Sequence, residues 1–121
     1  MTAKDQSPPV LDADDHVRDN FDAMTRKYLL MVLSDDIVEE HRQKQSGHHS
    51  EPLARLLAWC HRRPLSEQYS LRQGADGSYR IIRMSGQRGV VPTYVGDAVF
   101  NTIDDARHGV LMQHIKDLTG G

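Results

Sequence analysis

Apolar side chains recur at helical spacing near the start of the chain. Five of them are separated by four, three, four and three positions: Val17, Phe21, Met24, Tyr28 and Met31. This spacing places them on one face of a helix, because a helix turns once in about 3.6 residues. Aspartates crowd the first turns of the same segment, where the helix dipole favours negative charge. We expect the stripe to face either the protein core or a partner.

Two more helices are predicted before a proline ends the helical half of the chain. The first runs from Asp36 to about Gln45 and is mostly polar, so we expect it at the surface. The second can be capped by Ser50, with Pro52 in its first turn, where the missing amide costs nothing. Pro64 ends this helix. Its inward side is formed by Leu53, Leu56, Leu57 and Cys60.

Two short segments rich in Tyr and Ile follow, at residues 69–72 and 78–84. Between them, Gly74, Asp76 and Gly77 supply the positive backbone angles that a tight reversal needs, so the two segments are predicted to form a β-hairpin. A lone two-stranded ribbon is only marginally stable in water. One of its faces must therefore pack on helices, or the ribbon must extend a sheet in another protein.

A long loop and a last helix complete the pattern. Within the loop of residues 85–100, Val90-Val91 is a candidate short strand. Thr102, followed by two aspartates in the next turn, is a good helix start of the capping-box type. The helix ends at Gly120-Gly121. Its inner stripe is formed by Ile103, Ala106, Val110, Leu111, Ile115 and Leu118.

The order of elements predicts one α+β domain over residues 12–121, after a disordered lead-in over residues 1–11. About three helices precede the β-hairpin and one follows it, around a single small core that we expect Leu56, Tyr79 and Ile115 to hold. With 121 residues and 38% hydrophobic side chains, the chain can bury only a modest core. No apolar segment approaches the roughly 20 residues that span a bilayer, so we expect a cytoplasmic protein.

The net charge of −2 hides an uneven distribution, since an acidic first third precedes a basic middle. Residues 52–96 contain only two acidic side chains against these arginines: Arg55, Arg62, Arg63, Arg72, Arg80, Arg83 and Arg88. Arginine is favoured at protein interfaces because its planar fork pairs with carboxylates. We therefore take Arg62, Arg63, Arg80 and Arg83 as candidates for contact with a partner protein. A small stand-alone module that uses the same segment to bind nucleic acid or protein is the main alternative.

Seven histidines make a metal site worth weighing. His41, His48 and His49 are close in sequence, beside Glu39 and Glu40, and three such side chains can bind zinc. No HExxH or CxxC pattern is present, however, and a His-His pair in a loop is usually solvated. We therefore predict no metal site. An independent metalloenzyme built on the three histidines is the third hypothesis.

No catalytic constellation is recognisable elsewhere. His61, His108 and His114 lie on separate helical turns, without a nucleophile at a suitable spacing, so a surface or interface role is favoured. Cys60 falls on the inward side of its helix, where a free thiol behaves as a small hydrophobic residue. The paired acidic residues lie near helix starts or on exposed helical faces, where they stabilise the dipole. We predict no catalytic, cofactor-binding or metal-binding residue in this chain.

Five segments carry a resemblance to a known protein family. They are Ile37-Val-Glu-Glu-His41, His49-Ser-Glu-Pro-Leu-Ala-Arg55, Tyr79-Arg-Ile-Ile82, Val95-Gly-Asp-Ala-Val-Phe-Asn-Thr-Ile-Asp-Asp-Ala-Arg-His108 and Ile115-Lys-Asp-Leu118. In their spacing and scattered identities, these segments are similar to the small (alpha) subunit of N,N-dimethylformamidase. The resemblance covers about residues 27–118.

The resemblance implies a hetero-oligomeric amidohydrolase that cleaves a small N-substituted amide such as N,N-dimethylformamide. Its large subunit carries a mononuclear iron held by tyrosine and carboxylate ligands, and its small subunit supplies no known ligand. This chain would then contribute no catalytic residue, and it would pack on the large catalytic subunit as an accessory that stabilises it. A divergent small subunit of a related amide, urea or carbamate hydrolase is an open alternative.

Overall fold

A computed structural model describes residues 8–43, 45 and 47–120, and the side chains of residues 17, 19–43, 45 and 47–120. Within these residues the chain forms four α-helices and a three-stranded antiparallel sheet, so the predicted α+β fold is confirmed. The elements are α1 (Pro8–Val32), α2 (Asp35–Gln43), α3 (Glu51–His61), a 3-10 turn (Leu65–Glu67), β1 (Tyr69–Gln73), β2 (Tyr79–Arg83), β3 (Thr93–Tyr94) and α4 (Ile103–Thr119). Residues 1–7 of the predicted lead-in lie outside the described residues.

The helix ends follow the capping residues of the sequence. The Ser50 hydroxyl accepts a hydrogen bond from the Leu53 amide at the start of α3, and the Thr102 hydroxyl accepts one from the Asp105 amide at the start of α4. At the other end of α4, Gly120 adopts a left-handed conformation with φ of 84°. A residue with a side chain would be strained there, so the glycine fixes where the helix ends.

Glu40 fixes the junction between α2 and α3. Its carboxylate accepts hydrogen bonds from the Ser50 amide at 2.7 Å and from the Ser50 hydroxyl at 2.5 Å. The Ser50 cap is therefore oriented by a charged group, and charge-assisted hydrogen bonds are stronger than neutral ones. This arrangement joins two helices across the loop that separates them.

Replacing Glu40 by Ala is expected to destabilise the protein by about 1–2 kcal/mol, because the amide and the hydroxyl of Ser50 both lose their acceptor. Thermal unfolding followed by circular dichroism measures the change. Glu39→Ala is the matched control, since the hydrogen bond of Glu39 with Gln43 and its ion pair with Arg42 both lie on the exposed side of its own helix. Equal melting temperatures for the two variants would contradict this role of Glu40.

The sheet places β2 in the centre, with β1 and β3 on its two sides. The predicted hairpin joins β1 to β2, with Gly77 at φ of 85° in its turn. The third strand is Thr93–Tyr94, so the strand predicted at Val90-Val91 is wrong. The Ser85 hydroxyl donates to the Val90 carbonyl at 2.9 Å, which holds this segment in a turn, and the strand begins only after Pro92.

The core lies where α1, α2, α3 and α4 meet, and α4 also covers one face of the sheet. The buried cluster is formed by Leu29, Ile37, Leu53, Leu56, Trp59, Cys60, Leu111, Ile115 and Leu118. Of the three residues expected to hold the core, Leu56 and Ile115 belong to this cluster. Tyr79 is half-buried on β2 instead, where its backbone pairs with that of Phe100.

Candidate functional site: an apolar helix face and a histidine-lined groove

Helix α1 turns two different sides to its surroundings. Its inner side holds Leu29, which is buried, and Arg26, which donates a hydrogen bond to the Leu118 carbonyl at 2.9 Å. The predicted apolar stripe lies on the other side. Four of its members are largely exposed, at 69% for Val17, 56% for Phe21, 72% for Met24 and 76% for Met31. The described chain therefore leaves this apolar face uncovered.

We call these four residues the α1 face. Basic side chains border it on both flanks. From α3, the Arg62 guanidinium lies 5.0 Å from the ring centroid of Phe21, and the Arg55 guanidinium lies 5.1 Å from that of Tyr28. On the other flank, the exposed Lys27 follows Met24 by three positions. The α1 face is thus an apolar strip with two arginines on one flank and one lysine on the other.

The four arginines proposed as interface candidates are separated by the fold. Arg62 is the one that borders the α1 face. Its neighbour Arg63 is only 16% exposed in its side chain, where it pairs with Asp22 at 2.9 Å and stacks 4.4 Å from the Trp59 ring centroid. Arg63 therefore acts as an internal link between α1 and α3.

Arg80 and Arg83 lie on opposite faces of β2, as the alternation of a strand requires. Arg80 stacks on the Tyr94 ring at 4.0 Å and donates to the Gly96 carbonyl at 2.8 Å, which ties β3 to the centre of the sheet. Arg83 donates to the Ser66 carbonyl at 3.3 Å. Both side chains hold neighbouring segments of their own chain in place.

A groove of about 690 Å³ opens between α2, α3, α4 and the start of β1. Leu57, Val110 and Leu111 supply apolar walls, while Arg42 and Arg107 are exposed charged groups beside it. Its polar or reactive lining includes His41, Cys60, His61, Gln68, Tyr69 and His114. Several titratable side chains line the groove, and the protonation state of each decides what chemistry the groove can support.

His41 of α2 and His108 of α4 are both buried and share a hydrogen bond, with 2.9 Å between their Nδ1 atoms. The Nε2 atom of His108 is buried and has no hydrogen-bond partner among the described residues. A buried ring nitrogen without a partner costs less free energy as an acceptor than as an N–H donor. We therefore assign the shared proton to Nδ1 of His108, which donates it to Nδ1 of His41. Burial first, and then repulsion from His108 and from His49, lowers the pKa of His41 from 6.5 to about 4.

The half-buried Tyr69 and the buried His114 form a second contact beside the groove, with their rings edge to face at 5.0 Å. The Tyr69 hydroxyl donates a hydrogen bond to the Asp117 carboxylate. Burial, together with this hydrogen bond, raises the pKa of Tyr69 to about 12. Burial also lowers the pKa of His114, so both groups are neutral at pH 7.

The prediction that His108 and His114 lie at the surface is wrong, because the two side chains are only 6% and 4% exposed. Each neutral imidazole contacts a ring or a polar partner inside the protein, which reduces the free-energy cost of burying it. A sequence signal existed: His108 precedes Leu111 and Ile115 by three and seven positions, which places it on their inward stripe. His61, in contrast, is exposed.

Cys60 is buried among the core residues, in agreement with its predicted structural role. Burial raises the pKa of its thiol to about 12, so the thiolate is scarce at neutral pH. We expect native protein to react with iodoacetamide at pH 8 at least about tenfold more slowly than protein unfolded in urea. Mass spectrometry of the alkylated fraction measures both rates. Equal rates would contradict the buried, protonated state of Cys60.

The three histidines weighed as metal ligands are not gathered around one point. His41 is engaged with His108, while His48 is exposed in the loop before α3. Among the residues that the structure describes, no three or more His, Cys, Asp or Glu side chains form a group that could hold a metal ion. The described part of the chain therefore offers no arrangement that fits the iron implied by the resemblance.

The fold and these sites define a small α+β protein with an uncovered apolar helix face and a groove that contains a buried thiol and a half-buried phenol, both protonated. The chain belongs to the N,N-dimethylformamidase alpha subunit family, whose model matches residues 16–121. This match confirms the resemblance noted in the sequence. No curated protein matches the chain significantly. Along the part that the structure describes, no helix is long and apolar enough to cross a membrane.

Proposed function

We propose that this chain is the non-catalytic small subunit of a dimethylformamidase-like amidohydrolase in the cytoplasm. In this complex it packs on a large iron-bearing subunit, which it stabilises, and the large subunit hydrolyses a small N-substituted amide such as N,N-dimethylformamide. The observation that carries the proposal is the family match over residues 16–121, since alpha subunits work in multi-subunit enzymes. The uncovered α1 face supports it, because large exposed apolar strips mark interaction surfaces.

The chemistry of the groove supports a non-catalytic role. Amide hydrolysis needs an activated nucleophile or water and a group that transfers protons near neutral pH. The thiol of Cys60 and the phenol of Tyr69 are both shifted away from their reactive forms, while burial keeps His41 and His114 neutral. We therefore assign bond cleavage, and the iron, to the large subunit.

The nucleic-acid alternative loses support from the same geometry. Arg63 is paired with Asp22, while Arg80 and Arg83 donate to carbonyls of their own chain. These side chains do not form the continuous basic track that a phosphate backbone requires. A steep fall of binding to DNA or RNA with rising salt would restore this alternative.

Purification of the tagged chain from its native host tests the proposed function. We expect a stoichiometric large partner to be recovered with it, with iron bound and with amidase activity toward N,N-dimethylformamide. Native mass spectrometry gives the stoichiometry, and elemental analysis of the separated chains locates the iron. A bare monomer or homodimer, or iron on this chain alone, would overturn the proposal.

A further inference from the structure

We propose that the α1 face is the docking surface for a helix of the large subunit, and that this helix carries an apolar seam flanked by acidic side chains. This inference rests on the proposed function and names the surface through which it operates. It follows from two independent observations, the spacing of the apolar residues and the charge on both sides of them.

The spacing specifies a helix as the occupant. Val17, Phe21 and Met24 begin an alternation of four and three positions that Met31 ends, and an apolar repeat of this kind is the seam of a two-helix interface. On such a seam, each side chain inserts between residues of the facing helix. A flat sheet edge or an extended peptide would match a period of two residues instead. The inner side of α1 already packs on α3 and α4, so the seam is free for a further helix.

The flanking charges distinguish the large subunit from a second copy of this chain. Arg55 and Arg62 border one flank of the face, and Lys27 borders the other. Two copies docked through this face would bring these cations together, which costs free energy in a closely packed interface. An acidic partner helix would pair with them instead.

The acidic residues of this chain offset the positive charge of these flanks only in part. Asp22 pairs with both Arg62 and Arg63, so one carboxylate balances only one of the two guanidinium charges. Asp19 lies on the side of α1 away from the stripe by its helical position. Glu51 approaches Arg55 only at 3.9 Å, and both side chains are more than half exposed. Exposed pairs of this kind contribute little, so Arg55 is available to a partner.

Co-expression of the full chain with a tagged large subunit tests the surface. We expect Met24→Lys to lower the amount of this chain recovered with the large subunit at least about tenfold, because a charge would be buried in the seam. Lys forms helices as readily as Met, so α1 is retained, and circular dichroism checks it. Val91→Lys is the matched control, because Val91 is 77% exposed and distant in sequence from α1. Met31→Lys is a second variant with the same expected effect.

A second pair of variants tests the acidic flanks. Lys27→Glu is expected to weaken recovery about tenfold at low salt, and the difference from wild type should shrink in high salt, where surface charges are screened. Arg88→Glu, an exposed charge reversal in the loop before β3, should have no such effect. Stronger recovery of Lys27→Glu would overturn the acidic partner.

The outcomes separate this inference from the proposed function. If the wild-type chain fails to bind the large subunit, the proposed function falls. If wild type binds and Met24→Lys and Met31→Lys bind equally well, only the docking surface is overturned. If the wild-type chain alone forms a dimer that Met24→Lys dissociates, a second copy occupies the face and the inference is wrong.

Discussion

Lowering the pH from 7 to 4.5 is expected to reduce the free energy of unfolding, with His41 contributing on the order of 2–3 kcal/mol. Folding lowers the pKa of this imidazole from 6.5 to about 4, because the side chain is buried beside His108. Between these two values the unfolded chain binds a proton that the folded chain excludes. The contribution of His41 to the free energy of unfolding is therefore complete above pH 6.5, and it is lost as the pH falls toward 4.

His108 and His114 act in the same direction, because burial lowers the pKa of each. The positive charge of Arg42 adds to the effect at His108, while Glu39 and Asp105 oppose it. Protonation of His41 at Nδ1 would also place a second proton between the two Nδ1 atoms, which are close enough to share only one. Acid should thus loosen the junction of α2 and α4 first.

Urea unfolding between pH 7 and pH 4.5 measures this dependence. His41→Gln should flatten the curve, since an amide can still accept the hydrogen bond from His108 but cannot take up a proton. His48→Gln is the matched control, because that side chain is exposed in the loop before α3. The assignment would be wrong if wild type and His41→Gln lost the same stability over this pH range.

The sequence predicted the elements whose limits are set by local chemistry. Ser50 and Thr102 cap their helices through their own hydroxyls, and Gly77 and Gly120 adopt positive backbone angles that few other residues tolerate. Such signals involve neighbours in sequence, so one chain is enough to interpret them. The position of β3 was missed because it depends on the turn that Ser85 closes.

The site residues were harder to predict, because burial is decided by contacts between distant segments. His41 and His108 are 67 positions apart, and inside the protein each is the hydrogen-bond partner of the other at Nδ1. The direction of α1 raised the same difficulty. The spacing of its apolar stripe is compatible with a place in the core or in an interface. Only the packing of Leu29 and Arg26 on the opposite side shows that the described chain leaves the stripe uncovered.

Gly109→Ala in α4 is expected to destabilise the protein by about 1–3 kcal/mol, although alanine normally favours a helix by about 1 kcal/mol over glycine. A Cβ atom at this position would lie 2.7 Å from Cζ of Phe100 and 3.2 Å from Cδ1 of Ile81. Phe100 cannot easily withdraw, because its backbone pairs with Tyr79 through two hydrogen bonds of 2.8 and 2.9 Å. The absent side chain therefore sets how closely α4 approaches the sheet.

Lys116→Ala is the matched control for this prediction, because Lys116 is exposed on the same helix and its substitution should change stability by less than about 0.5 kcal/mol. Thermal and urea unfolding of both variants measure the difference. A higher melting temperature for Gly109→Ala would mean that helix propensity outweighs the contact with Phe100, and that the sheet can move away from α4 at little cost. The expected loss would instead identify this contact as what fixes the two layers of the fold at their observed separation.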